Sequence, residues 1–249
     1  MYISYSLWGS NEVYTYGMIE NVLLAKEIYK RWKVRVHYND TVPQKVIDWL
    51  EAQENVEMIH HEGNDALASN MFWRFYDLFL PNTVVIIRDA DSRLSVHEKE
   101  MVDEWLNSSK DFHVIRGHPH HKVPILGGTC GCRNNLLEYI HISNGTRNVN
   151  SSPRSFMVAK TFLKWYSDRL SYETDKYNAD QIFLYQYIYP IVANSLFVHS
   201  VKENAYEPFA KIIEAKESEF VGDIVTHCPN AAELMNDANV EFTRKPAYT

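Results

Sequence analysis

The stretch "VVIIRDADSRL" at residues 84–94 runs four β-branched residues straight into charge. Val84 to Ile87 show no alternation of polar and apolar positions, the pattern of a strand buried on both faces. The strand then ends in Arg88, Asp89, Ala90 and Asp91, with Arg93 close behind. One aspartate there would be an ordinary strand terminator and turn former. Two aspartates at i and i+2, delivered by a strand too apolar to be an edge, point to a place where a hard cation or a sugar phosphate is held.

Working outward, three strand–helix units precede this strand. Residues 1–7 alternate weakly as a strand, Trp8-Gly9-Ser10-Asn11 breaks the pattern, and "GMIENVLLAKEIYKRW" (17–32) has helical spacing. "KVRVHY" (33–38) is a second strand, "VPQKVIDWLEAQ" (42–53) an amphipathic helix opened near a proline, and "VEMIHH" (56–61) a third strand. "NMFWRFYDLFL" (70–80) reads as a mostly buried helix, and "TVVIIRDA" (83–90) is the fourth strand. This order implies right-handed crossovers and a mostly parallel central sheet flanked by helices, an α/β architecture with a Rossmann-like first half. In such sheets ligands bind beyond the carboxyl ends of the strands, which is where Asp89 and Asp91 stand.

Downstream, "SVHEKEMVDEWLNS" (95–108) is a helix that Ser95 and Glu98 open as a capping box, and "DFHVIR" (111–116) is a strand. "GHPHHKVPILGGTCGCRNN" (117–135) is expected to be a long loop. "RSFMVAKTFLKWYSDRL" (154–170) is helical and leads to "YNADQIFLYQYIYPIV" (177–192) and a short strand, "SLFVHS" (195–200). The last fifty residues carry little pattern.

The chain has 249 residues, 45% of them hydrophobic and 23% charged, enough apolar material for a real core and too little charge for general disorder. With 25 Lys+Arg against 32 Asp+Glu there is no strong cationic field, so nucleic acid is not an expected partner. "MYISYSLWGS" has neither a basic nor an apolar leader region, and no apolar run approaches a membrane span, so a soluble cytoplasmic protein is expected. Cys130, Cys132 and Cys228 are an odd set, and Cys130-Gly131-Cys132 is too tight for the usual zinc pairs, which leaves ordinary thiols.

The order of motifs resembles the nucleotide-sugar-dependent glycosyltransferases of the GT-A fold. "MFWRFYDLFLPNTVVIIRDADSRL" (71–94) is similar to the arginine-bearing aromatic helix, strand and Asp-x-Asp of the glycogenin and lipopolysaccharide-galactosyltransferase group. "ILGGTCG" (125–131) stands where that group has a glycine-containing acceptor-side loop, and "YNADQIFL" (177–184) looks like its Asp-Gln helix start. The resemblance covers roughly residues 1–200. It implies one catalytic domain over 1–249, with a nucleotide-sugar-binding half (1–94) and an acceptor-side half (95–249).

The resemblance also implies roles. Asp89 and Asp91 would hold Mn²⁺ or Mg²⁺ against the diphosphate of the donor, completed by a histidine nearer the C-terminus, with His199 of "FVHS" preferred over His227 of "VTHC". Neither histidine is followed by the Gly and Lys-Pro-Trp that the family has there. Arg74, Arg88, Leu7 and Trp8 join Asp89 on the donor side, and Gly127, Gly128, His118 and His120 on the acceptor side. Asp180 and Gln181 would face the transferred sugar as catalytic residues, with retention of configuration; an inverting enzyme would need a base such as His118, His120 or Asp180. The acceptor would be a hydroxyl of a glycan or glycoconjugate. Each residue also has a plain role: the arginines as salt-bridge partners, Arg93 as a buttress of the turn, Asp180 as a helix cap, the glycines as turn formers. His118, His120 and His121 lie in a loop whose spacing matches no metal motif.

Two other readings use the same aspartates. A haloacid-dehalogenase-like phosphatase also ends a strand in Asp-x-Asp and has a later Gly-Asp, here in "FVGDIVTHC" (220–228), but its first motif opens the core, whereas three strand–helix units precede this one. A sugar- or metal-binding module without turnover would need only the carboxylates.

Overall fold

A computed structural model describes residues 1–63, 68–133, 136, 163, 164, 166, 178–216 and 218–226. Among these, eight strands form one sheet: β1 (Tyr2–Leu7), β2 (Lys33–Tyr38), β3 (Val56–His60), β4 (Val84–Ile87), β5 (Phe112–Arg116), β6 (Cys130–Arg133), β7 (Leu196–Ser200) and β8 (Lys211–Ile212). Their order is β3-β2-β1-β4-β6-β5-β7-β8. Every pairing is parallel except those of β6, which runs antiparallel between β4 and β5. The expectation of a mostly parallel α/β sheet flanked by helices therefore holds.

Helices α1 (Glu12–Ile28), α2 (Gln44–Glu51) and α3 (Val96–Asn107) take apolar residues from one face of the sheet, among them Ile3, Tyr5, Val34, Val36 and Ile86. The opposite face, with Val85, Ile87 and Val114, packs on Phe72, Phe75 and Phe79 and on Phe183 and Leu184. β4 thus alternates its side chains between two cores, which is why "VVII" shows no polar alternation.

Three local readings are corrected. The helix expected over 70–80 is wound as a 3₁₀ helix of 12 residues, Ala68–Phe79. So long a 3₁₀ run is uncommon, and serines of β1 bind its backbone. Ser4 Oγ donates to the Arg74 carbonyl (3.0 Å), and Ser6 Oγ accepts from Arg74 N–H (2.9 Å). The 117–135 loop contains β6, invisible in "CGCR" because it lacks β-branched residues; Gly131 admits Trp105 and Ile86, which a Cβ would meet at 3.1 Å. Finally, α1 begins at Glu12, capped by Asn11 Oδ1 accepting from Val13 N–H (3.0 Å), five residues before the expected start at Gly17. The expected stretch at 154–170 lies outside the described residues apart from Leu163, Lys164 and Tyr166. No helix among the described residues is long and apolar enough to cross a membrane.

The 3₁₀ helix also carries a buried charge onto the sheet. Asp77, 2% exposed, accepts from Arg35 Nε (3.0 Å) and lies 3.1 Å from His37 Nε2, both on β2. Burial alone would raise this carboxyl; His37 and Arg35 overcome it and hold it below its ordinary value. Its stabilising contribution is therefore present above the unfolded value of about 3.9 and is lost as pH falls through the folded one. Asp77→Asn is expected to cost about 3 kcal/mol by urea unfolding at pH 7. The gap to wild type should shrink at pH 3, and an equal gap at both pH values would assign the loss to packing instead.

Candidate functional site

The strand-end turn is held from three sides. Within it, Ser92 Oγ donates to the Asp89 carbonyl (3.0 Å). From α1, buried Asn21 donates Nδ2 to the Ser92 carbonyl (2.7 Å) and accepts Leu94 N–H on Oδ1 (3.0 Å). Gly17 lies against the same turn: a Cβ there would overlap the Ala90 carbonyl. A mid-helix glycine costs about 1 kcal/mol relative to alanine, and close approach of the turn is what it provides here. Arg93 pairs with Glu20 of α1 and donates Nη1 to the Ala90 carbonyl (3.2 Å), the buttress role foreseen for it. From the third side, Val225 N–H donates to the Asp91 carbonyl (2.8 Å), and Ser92 bridges Ile224 antiparallel. Gly17 and Asn21 were not picked out from the sequence, although a glycine and an asparagine on the buried face of an apolar helix are the signal that marks them.

Around this turn the structure gathers residues far apart in sequence. Arg74, 4% exposed, reaches out of the 3₁₀ helix with Nη1 on Asp89 and Nη2 on Asp180 Oδ2 (2.9 Å). Asp180 opens the helical run α4 (Ala179–Phe183), and its neighbour Gln181 accepts Gly127 N–H on Oε1 (3.1 Å). Gly127 and Gly128 close over the ion triplet. A Cβ on Gly127 would sit 2.7 Å from Arg74 Nη2 and 2.8 Å from Asp180 Oδ2, and one on Gly128 would overlap Asp89 Oδ2. Arg74, Asp89, Gly127, Gly128, Asp180 and Gln181 thus form one cluster. Its two carboxylates differ in access: the Asp89 side chain is 37% exposed and that of Asp180 only 2%.

Charge follows from these contacts. Burial would lower the Arg74 guanidinium, but Asp89 and Asp180 more than offset this and raise it. Burial pushes Asp180 above its ordinary range, with Arg74 opposing. At Asp91, burial and then the Asp89 carboxylate push the group up to about 6. Asp89 and Asp91, two carboxylates at one turn, are oxygen donors of the kind Mg²⁺ or Mn²⁺ takes together with substrate phosphates. No cluster of three or more His, Cys, Asp or Glu suited to a metal occurs among the described residues.

Other expected site residues are placed elsewhere. Arg88 turns inward, 2% exposed, donating Nε to Glu98 Oε1 (2.8 Å) and Nη1 to the carbonyls of Ile87 (2.7 Å) and Cys130 (3.1 Å). Alternation along the strand explains this placement, because Arg88 and Asp89 leave the backbone on opposite sides. Glu98 had been expected to serve the α3 cap; Ser95 Oγ does accept its N–H (3.1 Å), but its carboxylate goes to Arg88 and Tyr29. His199, expected as the third metal ligand, stands away from the turn. It stands on β7, with β6 and β5 between that strand and β4, and its Nδ1 and Nε2 lie 2.9 Å from His113 Nε2 and Glu104 Oε2. His227 lies outside the described residues. Leu7 is buried in the core and Trp8 half-buried at the carboxyl end of β1. His118 stacks on Phe220 (4.2 Å, 22°), with His120 edge-on to it (4.7 Å). His118 therefore contacts the segment that also binds the Asp91 turn.

No family model matches the chain, and no curated protein sequence matches it. Among solved structures, the chain is similar to S. aureus TarS 1–349, with a TM-score of 0.41 and 14% identity over 62% of this chain, spanning about half (52%) of that one. It is also similar to a glycosyltransferase involved in the glycosylation of the major capsid of PBCV-1, with a TM-score of 0.44 and 12% identity over 94% of this chain and 96% of that one. These likenesses carry no weight in the functional reading below, which rests on the residues of the cluster.

The packing of Gly128 on Asp89 is directly testable. Gly128→Ala is expected to lose about 1–3 kcal/mol in urea unfolding, as overpacking does. Gly117→Ala, whose Cβ would meet nothing nearer than 3.5 Å, should stay close to wild type.

Proposed function

We propose that the chain is a metal-dependent glycosyltransferase of GT-A type, moving a sugar from a nucleotide-diphosphate sugar to a hydroxyl of a glycan or glycoconjugate. One observation carries the reading: Arg74 joins the strand-end Asp89 to Asp180, more than ninety residues away in sequence, under Gly127 and Gly128. Motifs that resemble separate parts of one family's site thereby meet at a single place, at the carboxyl end of β4.

Asp89 and Asp91 would hold Mn²⁺ or Mg²⁺. Bound there, the ion would supply Lewis-acid neutralisation of the charge that develops on the departing nucleoside diphosphate. Arg74 would offer a planar guanidinium to phosphate oxygens, and Asp180 and Gln181 would orient the hydroxyls of the transferred sugar. The amide of Gly127 is bound by Gln181, which ties the glycine loop to the Asp180–Gln181 pair. Because both ring nitrogens of His199 have partners, this reading does not use it as the third protein ligand.

The reading predicts slow hydrolysis of a nucleotide sugar in the presence of Mn²⁺ and no cleavage of an aryl phosphate. The opposite result would favour the phosphatase, and neither activity a binding module. Calorimetry with Mn²⁺ and UDP or GDP gives a second check. Asp91→Asn should abolish metal-dependent binding with the fold intact. His199→Ala should leave that binding unchanged while costing about 1–3 kcal/mol of stability, since it strips buried His113 of its partner.

A further inference from the structure

We infer that Arg74 is an exchangeable counter-ion: its guanidinium holds Asp89 until a divalent cation takes that carboxylate, and the released Nη1 then serves the donor diphosphate while Nη2 stays on Asp180. The inference rests on the metal reading above and concerns how the site is loaded.

Cation and guanidinium compete for a single group, the Asp89 carboxylate. Asp89 Oδ1 is engaged by Arg74, and its Oδ2 lies against the backbone of Gly128, where a Cβ would overlap it. A cation approaching Asp89 and Asp91 therefore meets a carboxylate already neutralised by a positive neighbour that cannot retreat into water, because Arg74 is 4% exposed. The two ends of Arg74 are unequal. Asp180 is as buried as the guanidinium itself, so parting that pair would strand two buried charges, whereas Asp89 is 37% exposed and can change partner. The guanidinium also has capacity to spare, since its Nε is buried with no hydrogen-bond partner in the structure. Exchange at the Asp89 end is thus the cheaper rearrangement. It frees a planar donor beside the carboxylates that would hold the metal, and a diphosphate is the ligand that uses a cation and a guanidinium together.

Two consequences follow. Metal alone should bind weakly, because it has to displace Arg74 with nothing given in return. Metal and nucleoside diphosphate should strengthen each other, because the diphosphate accepts the displaced guanidinium, and by linkage the coupling is reciprocal.

The test is a calorimetric titration of wild type and Arg74→Gln with Mn²⁺ alone, then with UDP or GDP in the presence and absence of Mn²⁺. Removing the competitor should tighten Mn²⁺ alone by about fivefold or more, the equivalent of one partly exposed ion pair, while the enhancement of nucleotide binding by Mn²⁺ shrinks. A merely structural arginine would give weaker Mn²⁺ binding or none of this opposition. Arg74→Gln leaves Asp180 buried without its partner, so the double variant Arg74→Gln/Asp180→Asn, which buries no lone charge, is measured alongside. Its Mn²⁺ affinity should rise in the same way. Mn²⁺ affinity that is unchanged or lower in the folded variants overturns the exchange and leaves the metal assignment standing. Absence of Mn²⁺ binding in wild type and variants alike overturns the metal assignment, and the exchange with it.

Discussion

A guanidinium buried to 4% exposure cannot be left without counter-charge, and Arg74 finds its own in Asp89 and Asp180. That requirement ties three segments together. It sets the facing of the 3₁₀ helix, whose carbonyl and amide at Arg74 are taken by Ser4 and Ser6 of β1. It draws the start of α4 against the carboxyl end of β4, and it demands glycine at 127 and 128, where any side chain would intrude on the triplet. Glycines that look in sequence like a turn or an approach for substrate are, in the structure, the roof of an ion cluster.

The turn itself depends on a second layer of contacts that bring no charge to the site. Gly17 and Asn21 of α1 take the backbone of residues 90–94, and Val225 takes that of Asp91. Asp91 is thereby held partly out of water beside Asp89, and burial first, then the Asp89 charge, raises it to about 6. Such burial of a carboxylate beside another is costly to a fold, and in the proposed reading a cation at the turn would offset it.

Two arginines of one stretch illustrate how position outranks residue type. Arg88 and Arg93 stand on either side of the aspartates, yet one is swallowed by Glu98 and backbone carbonyls and the other braces the turn against Glu20 of α1. His199 shows the same in reverse. A histidine at a strand end suggested a ligand, and burial between His113 and Glu104 makes it a link between β5, β7 and α3.

What the sequence alone determined is whatever depends on neighbours along the chain. The apolar run of β4, the alternation of β2, the capping signal of α3 and the order of strands and helices all act over a few residues, so the parallel sheet and the location of Asp89 and Asp91 at a strand end were legible. Only the tertiary structure decided which charges pair. Arg74 with Asp180, Arg88 with Glu98 and the antiparallel insertion of β6 depend on which faces meet across the sheet. Burial turns a small angular choice, such as the side of the strand from which Arg88 departs, into the difference between a donor contact and a core ion pair.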